Sequence, residues 1–163
     1  MSTGVTTRIV PDGDAGVRIE RGAVLRAESG TRLVGFNGQQ WLFEHGGRAR
    51  VTDAFGTVDV LARVEPWTPT ALDLADLAGR YFSAEAETEY LVSTEGGTLV
   101  LTQRPDRVVR LSPLYESAFS GPLGTIIFRR DPSGRANAFS VSQERVWDLR
   151  FERQDAPAAR TGR

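Results

Sequence analysis

His45 is the single imidazole of the chain, and it follows Glu44 immediately before Gly46 and Gly47. An imidazole can act as a general base or as a metal ligand, but either use needs partners: a nucleophile in one case, further ligands in the other. The composition removes most of them. All 20 lysine-or-arginine positions are arginine, so no amine can form a Schiff base, serve a P-loop or deprotonate a serine in a Ser-x-x-Lys pair. Cysteine is absent, which excludes disulfides, thiolate nucleophiles and cysteine zinc sites. No serine stands in a Gly-x-Ser-x-Gly context, and His45 reads as a surface residue flanking a turn. No catalytic, cofactor-binding or metal-binding residue is expected.

The carboxylates and guanidiniums offer little more. Asp12 to Gly16 begins like a calcium loop, yet Val17 stands where that loop needs glycine and Ala23 where it needs a bidentate glutamate. Glu85, Glu87 and Glu89 alternate as on the solvated face of a strand. Glu87 with Asp148 is one acid pair among the many that 21 acids allow, and nothing marks it as a glycosidase pair. Arg104, Arg107, Arg110, Arg129 and Arg130 are interleaved with apolar positions instead of forming one basic run. With a formal net charge of -1, the chain names neither nucleic acid nor membrane as a partner.

The elements that must position these residues are strands. Trp147, Leu149 and Phe151 share one phase against Asp148, Arg150 and Glu152; Val58, Val60, Ala62 and Val64 do so against Asp59 and Arg63; Val17 and Ile19 against Arg18 and Glu20. Each set predicts one face to the core and one to water. Between them stand the turn signals Arg21-Gly22, Asn37-Gly38, Gly46-Gly47, Phe55-Gly56, Gly96-Gly97 and Asp131-Pro132-Ser133-Gly134, spaced for hairpins. The order of features also repeats, with residues 17–36 and 41–64 paralleled by 90–111 and 125–151, and with an extra loop, "SPLYESAFSGP", in the second copy. The fold class predicted is all-β: an antiparallel up-and-down meander of two tandem small β-barrel repeats joined by one short helix.

The expected divisions are a first barrel over 1–66, a helical linker over 67–80, a second barrel over 81–154 and a disordered tail over 155–163. In the linker, Thr70 suits an N-cap with Asp73 at N3, Gly79 suits the C′ position, and Leu74, Leu77 and Ala78 give the helix a face to dock. Trp67, between Pro66 and Pro69, is its anchor. Leu114, Tyr115 and Phe119, in a loop bounded by Pro113 and Pro122, together with Trp67 are the candidate interface residues. Trp147, Phe151 and Phe128 are expected to fill the second barrel's interior.

The stretch "RVTDAFGTVDVLARVEPWTPT", continuing to "LAGRY" and closing with "LGTIIFRRDPSGRANAFSVSQERVWDLRFER", resembles the C-terminal region of β-lactamase-related serine hydrolases, a family that includes D-aminopeptidases and penicillin-binding-protein-like peptidases. The Val-Glu-Pro-Trp junction and the Arg-Asp-Pro-Ser-Gly-Arg hairpin carry the likeness most strongly. In that family a catalytic domain with a Ser-x-x-Lys nucleophile precedes one or two lipocalin-like barrels. No catalytic residue transfers to this lysine-free chain. The resemblance implies a non-catalytic accessory module that acts through contact with a serine hydrolase catalytic domain or by self-association. The alternative is a lipocalin-like carrier of a small apolar ligand. Neither a basic leader with an apolar run nor a window of about 18 apolar residues is present, so a cytoplasmic location is expected.

Overall fold

The computed structural model describes residues 6–13, 16–20, 22–104, 106–143 and 146–154. The tail 155–163, Asp14, Ala15 and Arg21 lie outside the described residues. The strands form two antiparallel sheets in two compact units, Thr6–Glu65 and 66–154.

The first unit is a seven-stranded meander, a half-barrel in which each strand pairs with its sequence neighbours: β1 (Ile9–Asp12), β2 (Gly16–Ile19), β3 (Val24–Ser29), β4 (Arg32–Gly35), β5 (Gln40–Glu44), β6 (Arg48–Thr52) and β7 (Val58–Ala62). Gly46 and Gly47, both at positive φ, close the β5–β6 hairpin, a backbone that residues with a Cβ adopt at a cost. Leu25, Trp41 and Val51 form the buried centre of the inner face, flanked by Ile9, Val17, Ile19, Leu33 and Leu61. The outer face carries exposed ion pairs such as Arg18–Asp12, Arg32–Glu28 and Arg50–Glu44. Each such pair contributes at most about 1 kcal/mol.

The phase of β7 is opposite to expectation. Register pairs Leu61 with Ala49 and Asp59 with Val51, so the odd residues share the inner face with Trp41 while Val58, Val60 and Ala62 point outward. Val58 is 47% exposed and Val60 64%. Because side chains alternate with a period of two, a strand with leucine on one face and valines on the other can satisfy either phase locally, and its neighbour decides.

The second unit holds a short helix, α1 (Ala71–Leu77), and nine strands: β8 (Gly79–Ser83), β9 (Thr88–Glu95), β10 (Thr98–Gln103), β11 (Arg107–Arg110), β12 (Ser112–Tyr115), β13 (Ala118–Gly121), β14 (Gly124–Arg130), β15 (Ala136–Gln143) and β16 (Val146–Gln154). Their order in the sheet is β11-β10-β9-β8-β16-β15-β14-β13-β12. The first strand, β8, pairs with the last, β16, and the two ends of the sheet, β11 and β12, are joined through Leu111. The sheet therefore curls into a nearly closed barrel. Its interior is packed with aromatic rings: Tyr81, Tyr90, Phe119, Phe128, Phe139 and Phe151 are buried, and Phe139 stacks on Phe151 at 4.7 Å between centroids. Such pairs add about 0.5–1.5 kcal/mol each beyond the area they bury.

The segment expected as a linker belongs to this unit. Thr70 caps α1 in a reciprocal box with Asp73, and Leu74 and Leu77 enter the barrel core. The helix does not end on a left-handed glycine: Ala78 is extended and the chain passes directly into β8. One nearby and one distant side chain satisfy its last carbonyls instead. The Tyr81 hydroxyl donates to Leu77 O at 2.9 Å, and the Arg153 guanidinium donates to Asp76 O at 3.0 Å, Ala78 O at 2.6 Å and Ala136 O at 2.8 Å. Gly79 makes room for that guanidinium, since a Cβ there would lie 2.9 Å from Arg153 Nε.

Two further expectations change. The extra segment is not a loop but the β12–β13 hairpin, turned at Ser117 with φ +62°. Trp147 is 70% exposed and fills no interior, because the β15–β16 register shifts between Val141 and Gln143 and Asp148 takes φ +59°, which resets the alternation ahead of Leu149 and Phe151.

Candidate functional site

His45 sits exposed in the β5–β6 turn. The acids that sequence spacing singled out do not converge. Glu85 and Glu87 lie in the β8–β9 turn, and Glu89, on β9, reaches Arg80 at 2.7 Å. Asp148 bonds the Arg129 guanidinium. The Ser140 hydroxyl, then Arg129, hold its carboxyl below the ordinary range. Arg110 pairs with Glu95 at 3.1 Å, and Arg130 with Asp76. Among the described residues no group of three or more His, Asp or Glu is placed to hold a metal ion.

An open cleft of about 540 Å3 lies beside α1, with Asp73, Asp76, Arg130 and Arg135 in its wall. Asp73 is committed to the Thr70 cap, whose backbone N–H bond leads in lowering its pKa, and Arg130 spans Asp76 and Gly134 O at 2.7 Å. The Arg130–Asp76 pair holds α1 to the β14–β15 turn, and Glu116 completes the charged groups of the wall.

The four residues expected at an interface are not equivalent. Phe119 is 1% exposed, packed at 5.8 Å against Phe128 inside the barrel, so it gives way as an interface candidate. Trp67 is half-buried and meets Phe119 edge-on at 5.8 Å, which makes it a lid on the aromatic core. Leu114 and Tyr115 are half-buried on β12. Burial raises the Tyr115 phenol pKa.

The two most exposed aromatics among the described residues lie elsewhere, at positions the spacing argument passed over. Phe36 and Phe55 stand fully exposed at the tips of the β4–β5 and β6–β7 turns. Both turns are held by their own side chains. Asp53 Oδ1 accepts from Phe55 N and Thr57 N, each at 2.8 Å, and Asn37 Oδ1 accepts from Gln39 N at 3.2 Å. The backbone bond from Thr57 leads in holding the Asp53 carboxyl below its usual range. The two turns are adjacent: a Cβ on Gly38 would lie 3.6 Å from Ala54 Cβ. Phe36 also lines, with Val24 and Val34, a groove of about 490 Å3. Two exposed phenylalanines thus stand on neighbouring turns, each turn held by its own side-chain hydrogen bonds. The signal was present, since Phe36 adjoins the turn dipeptide Asn37-Gly38 and Phe55 belongs to Phe55-Gly56.

Among the described residues no helix is long and apolar enough to cross a membrane. Neither a protein-family model nor a curated protein matches the sequence.

Proposed function

We propose that the chain is a non-catalytic β-barrel module that works through protein–protein contact, its counterpart being a serine hydrolase catalytic domain or another copy of itself. The observation that carries this reading is the pair of fully exposed phenylalanines, Phe36 and Phe55, on adjacent self-braced hairpin tips. The hydrolase enters through the resemblance of the Val-Glu-Pro-Trp junction and the Asp131 hairpin to lipocalin-like tails. Apolar ligand carriage is less well supported, because the interior of the second unit is occupied by six aromatic side chains.

The test is direct binding between the purified chain and the catalytic domain of a β-lactamase-related serine hydrolase from the same genome, followed by calorimetry. Aromatic anchors of an interface commonly cost about 2 kcal/mol or more on truncation, roughly 30-fold in Kd. Phe36→Ser with Phe55→Ser should weaken binding by that factor while leaving the circular dichroism of the chain unchanged. Unaltered affinity would reject the patch. Absence of binding together with recovery of a bound fatty molecule by mass spectrometry would favour the carrier.

A further inference from the structure

We infer that β7 is a pairing edge for a second copy of this chain, which adds its own β7 antiparallel across a two-fold axis at Leu61. The inference deepens the self-association arm of the reading above and does not depend on the hydrolase.

The direction of the backbone groups comes first. Arg63 N–H donates to Gly47 O at 2.6 Å and Asp53 N–H donates to Thr57 O at 3.0 Å, so the odd residues of this strand face β6. The N–H and C=O groups of Val58, Val60 and Ala62 therefore point away from the sheet, where β7 is terminal. It contains no proline or bulge, its outer side chains are exposed valines, and its inward-facing charge, Asp59, guards it against partners that bring no cation opposite. The opposite edge is defended: Glu20 N–H donates to Arg8 O at 2.8 Å, which turns residues 9 and 11 of β1 outward, and residue 11 is a proline without an N–H to offer. In the second unit the last strand, β16, is covered by β8. The last strand of the first unit has no such cover within its sheet.

Charge selects the partner and the register. Outward-facing residues can bond only to outward-facing residues, so a β7–β7 pair must oppose even positions to even positions. With the two-fold axis at Leu61, Val60 exchanges both hydrogen bonds with the copy's Ala62, and Val58 lies opposite Val64. On the inner face Leu61 meets Leu61, and Asp59 faces Arg63 on both sides of the axis. Those odd pairs are the closely spaced, non-hydrogen-bonded kind, which brings side chains nearest. An axis at Val60 would instead oppose Asp59 to Leu61 and leave Asp59 without a cation across the seam, Arg63 keeping only its own-chain pair with Glu65 at 2.9 Å. The strand is self-complementary in one register, and that identifies the occupant as another copy.

Sedimentation equilibrium of the full chain tests this. The expected result is a concentration-dependent rise toward twice 17.8 kDa. Val60→Pro removes an N–H that faces away from β6, so the intramolecular ladder is kept and the dimer should be lost. Asp59→Arg and Arg63→Asp should each raise Kd on the order of tenfold, since each sets like charges opposite each other. Mixing the two variants should restore association as a heterodimer. A chain monomeric at about 100 µM, an unchanged mass for Val60→Pro, or single charge variants that dimerise normally without gain on mixing would each overturn the inference. Loss of dimer in Phe36→Ser with Phe55→Ser but not in Val60→Pro would overturn it while sparing the broader contact reading.

Discussion

Replacing Arg153 by methionine isolates the device that ends α1. The guanidinium makes three hydrogen bonds to carbonyls of Asp76, Ala78 and Ala136 and lies 5.9 Å from the centroid of the Tyr81 ring. A hydrogen bond to a charged group contributes about 1.5–3 kcal/mol net, but these three share one half-buried cation, so about 3 kcal/mol for the whole is the reasonable figure. For a unit of this size that lowers Tm by roughly 12–24 °C. Near-ultraviolet circular dichroism of the aromatic cluster during heating reports the unit directly. A thermodynamic cycle makes the test specific. Gly79→Ala places a Cβ 2.9 Å from Arg153 Nε and should displace the guanidinium, costing much of the same energy. In the Arg153→Met background that clash is gone, so the two changes should be strongly non-additive; any backbone cost of alanine at Gly79 is common to both backgrounds and cancels. A Tm within about 2 °C of the parent for Arg153→Met, or additivity in the cycle, would refute the assignment.

Two other outcomes follow from the packing and the charges. Phe119→Ala should cost about 3–5 kcal/mol as a core cavity, whereas Trp147→Ala, on the exposed side of the bulge, should change stability by less than about 0.5 kcal/mol in urea titrations. On acidification, the carboxyls of Asp53, Asp73, Asp131 and Asp148, each held below its ordinary range, give stability that is complete above the unfolded value near 3.9 and is lost as pH falls through their lowered native values. The urea midpoint should therefore be level from pH 7 to 5 and fall below about pH 4, and Asp73→Asn with Asp148→Asn should make that fall shallower; a midpoint unchanged down to pH 3 would contradict it.

Local chemistry and the hairpin meander were legible in the sequence; strand phase, bulges and contacts between distant residues were not. The Thr70–Asp73 cap could be read because both ends of its hydrogen bonds lie within one turn. The glycine pairs 46–47 and 96–97 marked hairpins because their positive φ is a property of the turn itself. The phase of β7 escaped because "VDVLA" carries apolar residues on both faces, and Ala49 and Val51 make the choice from the neighbouring strand. Trp147 escaped because a bulge is a mismatch between two strands. The role of Arg153 could not be foreseen at all, since the helix carbonyls it holds lie 77 and 75 residues away in the chain.

The order of strands in the second unit has a kinetic consequence. Every ladder but one joins strands that are consecutive in sequence, and such hairpins form in microseconds. The exception pairs Phe82 with Glu152, so β8 must find β16 across almost the whole unit. That encounter carries the largest loop-closure entropy and raises contact order. Substitutions along the β8–β16 seam should slow refolding if that seam forms before the barrier. Elsewhere the meander assembles as a zipper, and its changes register mainly as faster unfolding.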